Sequence, residues 1–134
     1  MTTPTRGLLD TTVFIASETG RPIDEDRLPD ESAVSVVTLA ELHAGVLAAR
    51  DIDTRARRLA TLEALTDLHI VGVDEKAART WAQMRVHVAE SGRRINVNDL
   101  WIAATAAAHE LTLVTQDADF AAVEGIAGLT VVHV

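Results

Sequence analysis

Cysteine is absent from all 134 residues, so the chain has no disulfide framework, no thiolate zinc site and no cysteine nucleophile. Aromatic residues amount to 3%, and lysine occurs once, as Lys76, leaving arginine to supply the other basic charges. No apolar run approaches the roughly 18 residues of a membrane span, and the first 20 residues lack the apolar core of a signal peptide. The expectation is a cytoplasmic protein with no membrane contact. No Gly-rich G-x-G-x-x-G turn occurs, which argues against a dinucleotide-binding domain, and the five histidines show no pairing at metal-ligand spacing. A net charge of −8 argues against nucleic-acid binding by bulk charge, so a phosphate contact would need a local cluster of basic residues; Arg93 and Arg94 form one, whereas Arg55, Arg57 and Arg58 read as a solvated helix face.

What is present is a composition of 48% hydrophobic and 24% charged residues, rich in Ala and Val, in a length near the commonest domain size. A single globular domain over residues 1–134 follows as the expectation. Leu8 to Asp10 reads as the end of a buried first strand, with Thr11 or Thr12 capping a short helix through Val13 to Ser17. Residues 18–31 hold two of the three prolines and read as a solvated connection with one short helical turn.

"AVSVVT", 33–38, reads as a strand from its β-branched content, followed by helices over 39–50 and 54–68, the second with Leu59, Leu62 and Leu65 at helical spacing. "HIVGV", 69–73, is a strand; 74–92 is a long helix opened by acids and closed by Gly92. "NVNDLWIAATAAAHE", 96–110, is a helix apolar almost all round, and Trp81 and Trp101 fall in helical apolar patterns suited to core or interface. "LTLVT" as strand, "DADFAAV" as short helix and "LTVVHV" as final strand complete the chain. Strands alternating with helices imply an α/β fold, a central parallel sheet flanked by helices on both faces.

Ligands bind such sheets beyond the carboxyl ends of the strands. Asp10 closes the first strand, Glu41 lies shortly after the second, and Asp117 and Asp119 follow "LTLVT". On a helix Glu41 shares its face with Val37, Thr38, Ala44, Gly45 and Ala48, a stripe of mostly small residues where a solvated charge is out of place. Asp99 stands near the start of the most apolar helix, where capping and ligation compete to explain it. Carboxylates converging at one strand end repel by about 4 kcal/mol per pair at 4 Å and an effective dielectric of 20. Cations or protons must intervene, and an all-oxygen set selects a hard ion, Mg²⁺ or Mn²⁺.

"LLDTTVFI", "VVTLAELHAGV", "INVNDLWIAATA" and "LVTQDADF" resemble, in order and spacing, the four acidic motifs of PIN-domain ribonucleases, especially the bacterial VapC-type toxins of toxin–antitoxin pairs. The resemblance implies a PIN-like fold and Mg²⁺-dependent endonucleolytic cleavage of RNA by metal-activated water. It implies as partners an RNA substrate, a small cognate antitoxin protein and a second copy of the chain in a homodimer. Asp10, Glu41 and Asp99 map onto the first three acids; the fourth is Asp117 or Asp119. Sequence reasoning leans to Asp119, since Asp117 as the cap of the following helix accounts for both residues. Thr11, Thr12 and Thr115 are candidates to orient ligands or water, and Arg93 and Arg94 to steer phosphate toward the acidic cleft. Two alternatives stand beside this reading: a phosphatase or phosphoacceptor using Asp10 as nucleophile, which lacks the companion residues such enzymes need, and a catalytically inactive PIN-like module that binds RNA.

Overall fold

The computed structural model describes residues 5–134. Five strands form one wholly parallel sheet: β1 (Arg6–Leu9), β2 (Glu31–Ser35), β3 (His69–Val71), β4 (Thr112–Thr115) and β5 (Val131–His133), in the order β3-β2-β1-β4-β5. The helices α1 (Thr11–Thr19), α2 (Val36–Ala48), α3 (Ile52–Glu63), α4 (Glu75–Glu90) and α5 (Val97–Ala108) connect them. This is the α/β architecture expected. Among the described residues no helix is long and apolar enough to cross a membrane.

The sheet is arranged so that β1 sits at its centre and the strand ends carrying the first and last acidic motifs lie side by side. Leu9 pairs with Val114, which sets Asp10 beside Thr115. Gly7 in β1 leaves room for Pro29 and Val114 to pack over the strand: a Cβ there would stand 2.9 Å from Pro29 Cγ and 3.0 Å from Val114 Cγ2.

The second strand differs from the reading of "AVSVVT". It runs Glu31–Ser35, and Val36, Val37 and Thr38 belong to α2. The reason is local: the Ser35 hydroxyl accepts the Val37 N–H at 3.0 Å, an N-cap that starts the helix at once and overrides the β preference of the branched residues. The first helix likewise extends from Thr11 to Thr19, and Gly20 closes it in the left-handed conformation. The helix expected over 54–68 ends at Glu63, with a 3-10 turn over Ala64–Asp67 behind it. Within it Leu65 is buried and Leu62 packs against the same cluster, whereas Leu59 remains 43% exposed. The short helix after β4 is a 3-10 segment, Ala118–Ala122.

The main core lies between the sheet and the α4–α5 pair. Leu100, Ile102, Ala103, Ala104 and Ala106 of α5 are buried among Met84 and Val88 of α4, Phe120, and Leu8 and Leu113 of the sheet. Alanine on so many faces lets α5 approach its neighbours closely, and a larger side chain at Ala103 would overpack at a cost of about 1–3 kcal/mol. Trp81 and Trp101 stack across α4 and α5, ring centroids 4.8 Å apart and planes 17° apart. Smaller clusters under α1, α2 and α3, including Val34, Leu42 and Leu65, complete the other face. Both hold the helix starts that carry the acidic residues at one end of the sheet.

Candidate active site

Asp10 answers to three hydrogen bonds. It follows β1 as the N-cap of α1, only 1% exposed. Its Oδ1 accepts the Thr12 hydroxyl at 2.6 Å and the Thr12 N–H at 3.1 Å, and its Oδ2 accepts the Thr115 hydroxyl at 2.9 Å. Burial nevertheless dominates and pushes the carboxyl up to about 6; the bonds from Thr12 and Thr115 oppose the rise and the negative charge of Asp117 adds to it. Thr12 also accepts the Gln116 N–H at 3.0 Å, so the first and fourth motifs are bonded into one unit.

Glu41 reaches the same region from α2, one turn after the buried Thr38. The Thr11 hydroxyl donates to Glu41 Oε1 at 2.7 Å and lies 3.1 Å from Thr38 Oγ1. Thr11 and Thr12 thus divide the labour, Thr11 holding Glu41 and Thr12 holding Asp10.

Asp99 shows the sharpest conflict. The cap of α5 is Asn96, whose side chain accepts the Asn98 N–H at 2.8 Å, so the capping explanation of Asp99 does not apply. Its carboxylate accepts no hydrogen bond from the described residues. It too is pushed up to about 6, first by burial and then by the charges of Asp117, Asp10, Glu41 and Asp119, in that order. All four other acids singled out from sequence therefore act on Asp99, and no base stands among its five largest influences.

Asp117 caps the 3-10 segment, its Oδ1 accepting the Asp119 N–H at 2.8 Å, while its own N–H donates to Thr115 at 2.9 Å. Asp119 is exposed. Arg93 and Arg94 lie in the exposed loop before α5, where Arg93 donates to Ala121 O at 3.2 Å.

Nothing in the sequence singled out Thr38 or Gln116, and Arg58 read only as part of a solvated helix face. Thr38 was visible only as a face neighbour of Glu41. The Gln116 side chain donates to Pro22 O at 2.8 Å and Val134 O at 3.1 Å, long-range contacts with no local signature. Arg58 is partly buried and donates to Gly45 O at 2.6 Å rather than lying on a wholly solvated face.

Among the described residues no three His, Asp or Glu side chains converge tightly enough to hold an ion directly. The donor set still fits a hydrated Mg²⁺, which keeps several waters and takes only one or two carboxylates as direct ligands. Oxygen donors alone, repulsion on Asp99 and the absence of any base among its five largest influences all suit a hard divalent cation.

Residues 7–126 match the family model of the PIN domain. The chain is 57% identical over 133 residues to ribonuclease VapC5 of Mycobacterium tuberculosis (strain ATCC 25618 / H37Rv), covering 99% of this chain and 98% of that one. It is 42% identical over 127 residues to ribonuclease VapC4 of the same organism, covering 94% and 97%. In three dimensions it is similar to a chain of the crystal structure of VapBC-5, a member of the VapBC family of toxin-antitoxin systems from Mycobacterium tuberculosis, with a TM-score of 0.92, 54% identity and 98% and 100% coverage. It is similar also to a chain of FitAcB from Neisseria gonorrhoeae, with a TM-score of 0.72, 32% identity and 92% and 94% coverage.

Proposed function

Because the chain belongs to the PIN-domain family, we propose that it is a VapC-type toxin, an endoribonuclease that hydrolyses RNA phosphodiesters at the Asp10, Glu41, Asp99 and Asp117 cluster with Mg²⁺, or Mn²⁺ in its place. The observation that supports the site is that Asp117, Asp10, Glu41 and Asp119 all lie near enough to Asp99 for their charges to raise its pKa, with no base among its five largest influences. The nearly full-length likeness to ribonucleases carries the reaction.

Asp10, Glu41 and Asp99, with Asp117 beside them, would hold a hydrated ion, one or two of them directly and the rest through its waters. The order of influences on Asp99, and the presence of Asp117 among those on Asp10, support Asp117 over Asp119 as the fourth acid. Asp117 spends one carboxylate oxygen on its capping bond and keeps the other free. When bound, the divalent ion supplies a more acidic water and offsets charge on the phosphate. The chain's own residues prepare the site: Thr12 and Thr115 fix both oxygens of Asp10, Thr11 fixes Glu41, and Asp99 stays unbonded and open to a ligand. Near neutral pH both Asp10 and Asp99, titrating at about 6, are ionised and ready for the cation. Arg93 and Arg94 supply local positive charge in the loop leading to α5, where they would steer phosphate past the acids.

Asp10 as a covalent phosphoacceptor is disfavoured, since it is almost wholly buried and hydrogen-bonded through both oxygens. The inactive RNA-binding alternative is disfavoured because every acid of the cluster is in place. As a toxin the chain would act in the cytoplasm, as a homodimer, and be held inactive by a small antitoxin protein. The test is cleavage of single-stranded RNA by purified protein: activity with Mg²⁺ or Mn²⁺, none in chelator, and growth arrest on expression relieved by the small protein encoded beside it. Undiminished cleavage in chelator would refute the metal site.

A further inference from the structure

A groove of about 350 Å³ runs between α1, α2 and α3, lined among others by Thr11, Ile15, Glu18, Glu41, Leu42 and Arg58. Thr11 and Glu41 belong also to the carboxylate cluster, so the groove leads directly away from it. Arg58 stands on the α3 wall. Of the three arginines in its cluster, Arg55, Arg57 and Arg58, it alone is partly buried. Its Nη1 donates to Gly45 O at 2.6 Å, a carbonyl in the last turn of α2 left over because the Ala49 N–H turns to Val46 O.

That bond fixes the guanidinium in place but uses only one of its five N–H donors. No carboxylate among the described residues lies within ion-pairing distance of Arg58, and the nearby Glu18 accepts instead from the Thr61 hydroxyl at 2.9 Å. A pre-positioned guanidinium with free donors and no ion-pair partner among the described residues, beside a nuclease centre, matches the geometry of a phosphate group. The exposed Ile15, at 45%, adds an apolar surface on the opposite wall for a ribose or base.

We propose that Arg58 binds a backbone phosphate of the RNA strand on the Glu41 side of the cleavage point, with the strand lying in the α1–α2–α3 groove. This rests on the ribonuclease reading and adds to it a substrate-binding residue and a path for the strand. Two other roles would leave different traces: a purely structural clamp on the end of α2, or a contact for a protein helix seated in the groove.

Arg58→Gln keeps an N–H donor for Gly45 O and removes the charge; Arg58→Lys keeps the charge without the fork. Binding of a short single-stranded RNA in chelator is measured across a salt series by fluorescence anisotropy, and KM and kcat are measured with Mg²⁺. The expected result for folded Arg58→Gln is a plot of log affinity against log salt shallower by about 0.7, the share of one phosphate contact. KM should rise severalfold with kcat held within about twofold, a loss of substrate binding. Arg58→Lys should keep the wild-type slope. An unchanged slope and KM in folded Arg58→Gln would overturn the proposal, as would weaker RNA binding with an unchanged slope, the trace of a clamp. Weaker binding of the antitoxin with RNA binding intact would assign the groove to a protein and overturn it too. Should Arg58→Gln fail to fold, wild-type protein treated with an arginine-selective dicarbonyl decides: RNA should shield Arg58, and unshielded modification overturns the proposal. Wild-type protein that neither binds nor cleaves RNA would instead remove the ribonuclease reading itself.

Discussion

Thr115 donates a 2.9 Å hydrogen bond to Asp10 although 105 residues separate them, and both are shut off from solvent. The parallel pairing of β1 with β4 makes the contact, since Leu9 and Val114 are register partners and the next residue of each strand end faces the other. The same hydroxyl accepts the Asp117 N–H, so one buried side chain sets the position of the first acid and the start of the fourth motif together.

Thr115→Val should therefore damage both stability and cleavage. It leaves a buried Asp10 oxygen and the Asp117 N–H without their partner, at a cost of about 1–3 kcal/mol. Denaturant unfolding checks the first effect and single-turnover cleavage the second, and Thr115→Ser, which retains the hydroxyl, should recover most of each. Valine performing like threonine in both assays would show that the bond does not position Asp10.

Asp99→Asn should abolish cleavage while making the metal-free protein more stable. The substitution removes a partly buried charge repelled by four carboxylates and leaves the helix cap untouched, because that cap is Asn96. Melting in chelator should shift upward relative to wild type, and the additional rise that Mg²⁺ gives the wild type should shrink. A folded Asp99→Asn protein that cleaves at the wild-type rate would remove Asp99 from the mechanism.

The raised carboxyls also give metal-free stability a definite dependence on pH. Asp10 and Asp99 titrate near 6 in the folded chain against an ordinary 3.8, so between those values the folded state holds more protons than the unfolded one. Stability in chelator should therefore fall as pH rises from 3.8 through about 6 and this contribution should level off above. Mg²⁺ competes with those protons and binds the native state, so the rise in melting temperature it produces should grow over the same window. Melting curves with and without Mg²⁺ across that range test the sign, and a Mg²⁺ effect equally large at the acid end would contradict it.

Asp10, Glu41 and Asp99 stand out in the sequence as candidates because a carboxylate inside an apolar segment needs a reason wherever the chain folds. The alternation of strands and helices was legible for a similar reason, periodicity being a local property. The β2–α2 boundary was not: "AVSVVT" has strand composition throughout, and only the Ser35 cap decides that Val36 to Thr38 turn into helix. Leu59 had helical spacing suited to burial, yet α3 turns Leu62 inward and leaves Leu59 partly in solvent, which depends on where α1 and α2 lie. The pairing of Thr11 with Glu41 was hidden likewise, because neighbours in sequence, Thr11 and Thr12, serve acids on different elements.

The fourth acid is where local and spatial reasoning part. In the sequence Asp117 reads as the cap of the segment after β4, and the metal-facing role stays open between Asp117 and Asp119 with a slight lean to Asp119. The cap is present, with Asp117 Oδ1 accepting the Asp119 N–H at 2.8 Å. Capping, however, occupies one oxygen only, and it holds the carboxylate close to the strand end rather than withdrawing it. Asp117 is the foremost charge acting on Asp99 and acts on Asp10 as well, whereas Asp119 comes last among the four acids acting on Asp99. Asp117→Asn should therefore be the severe substitution: asparagine caps as well as aspartate, so the fold stays, but the charge beside Asp10 and Asp99 is lost. Asp119→Asn, on an exposed residue whose backbone N–H still meets Asp117, should lower cleavage and Mg²⁺ affinity only slightly. Cleavage rate and the Mg²⁺ concentration for half-maximal activity, measured for each variant, decide between them. A severe Asp119→Asn with a mild Asp117→Asn would return the role to Asp119, and two mild effects would leave Asp10, Glu41 and Asp99 as the whole of the site.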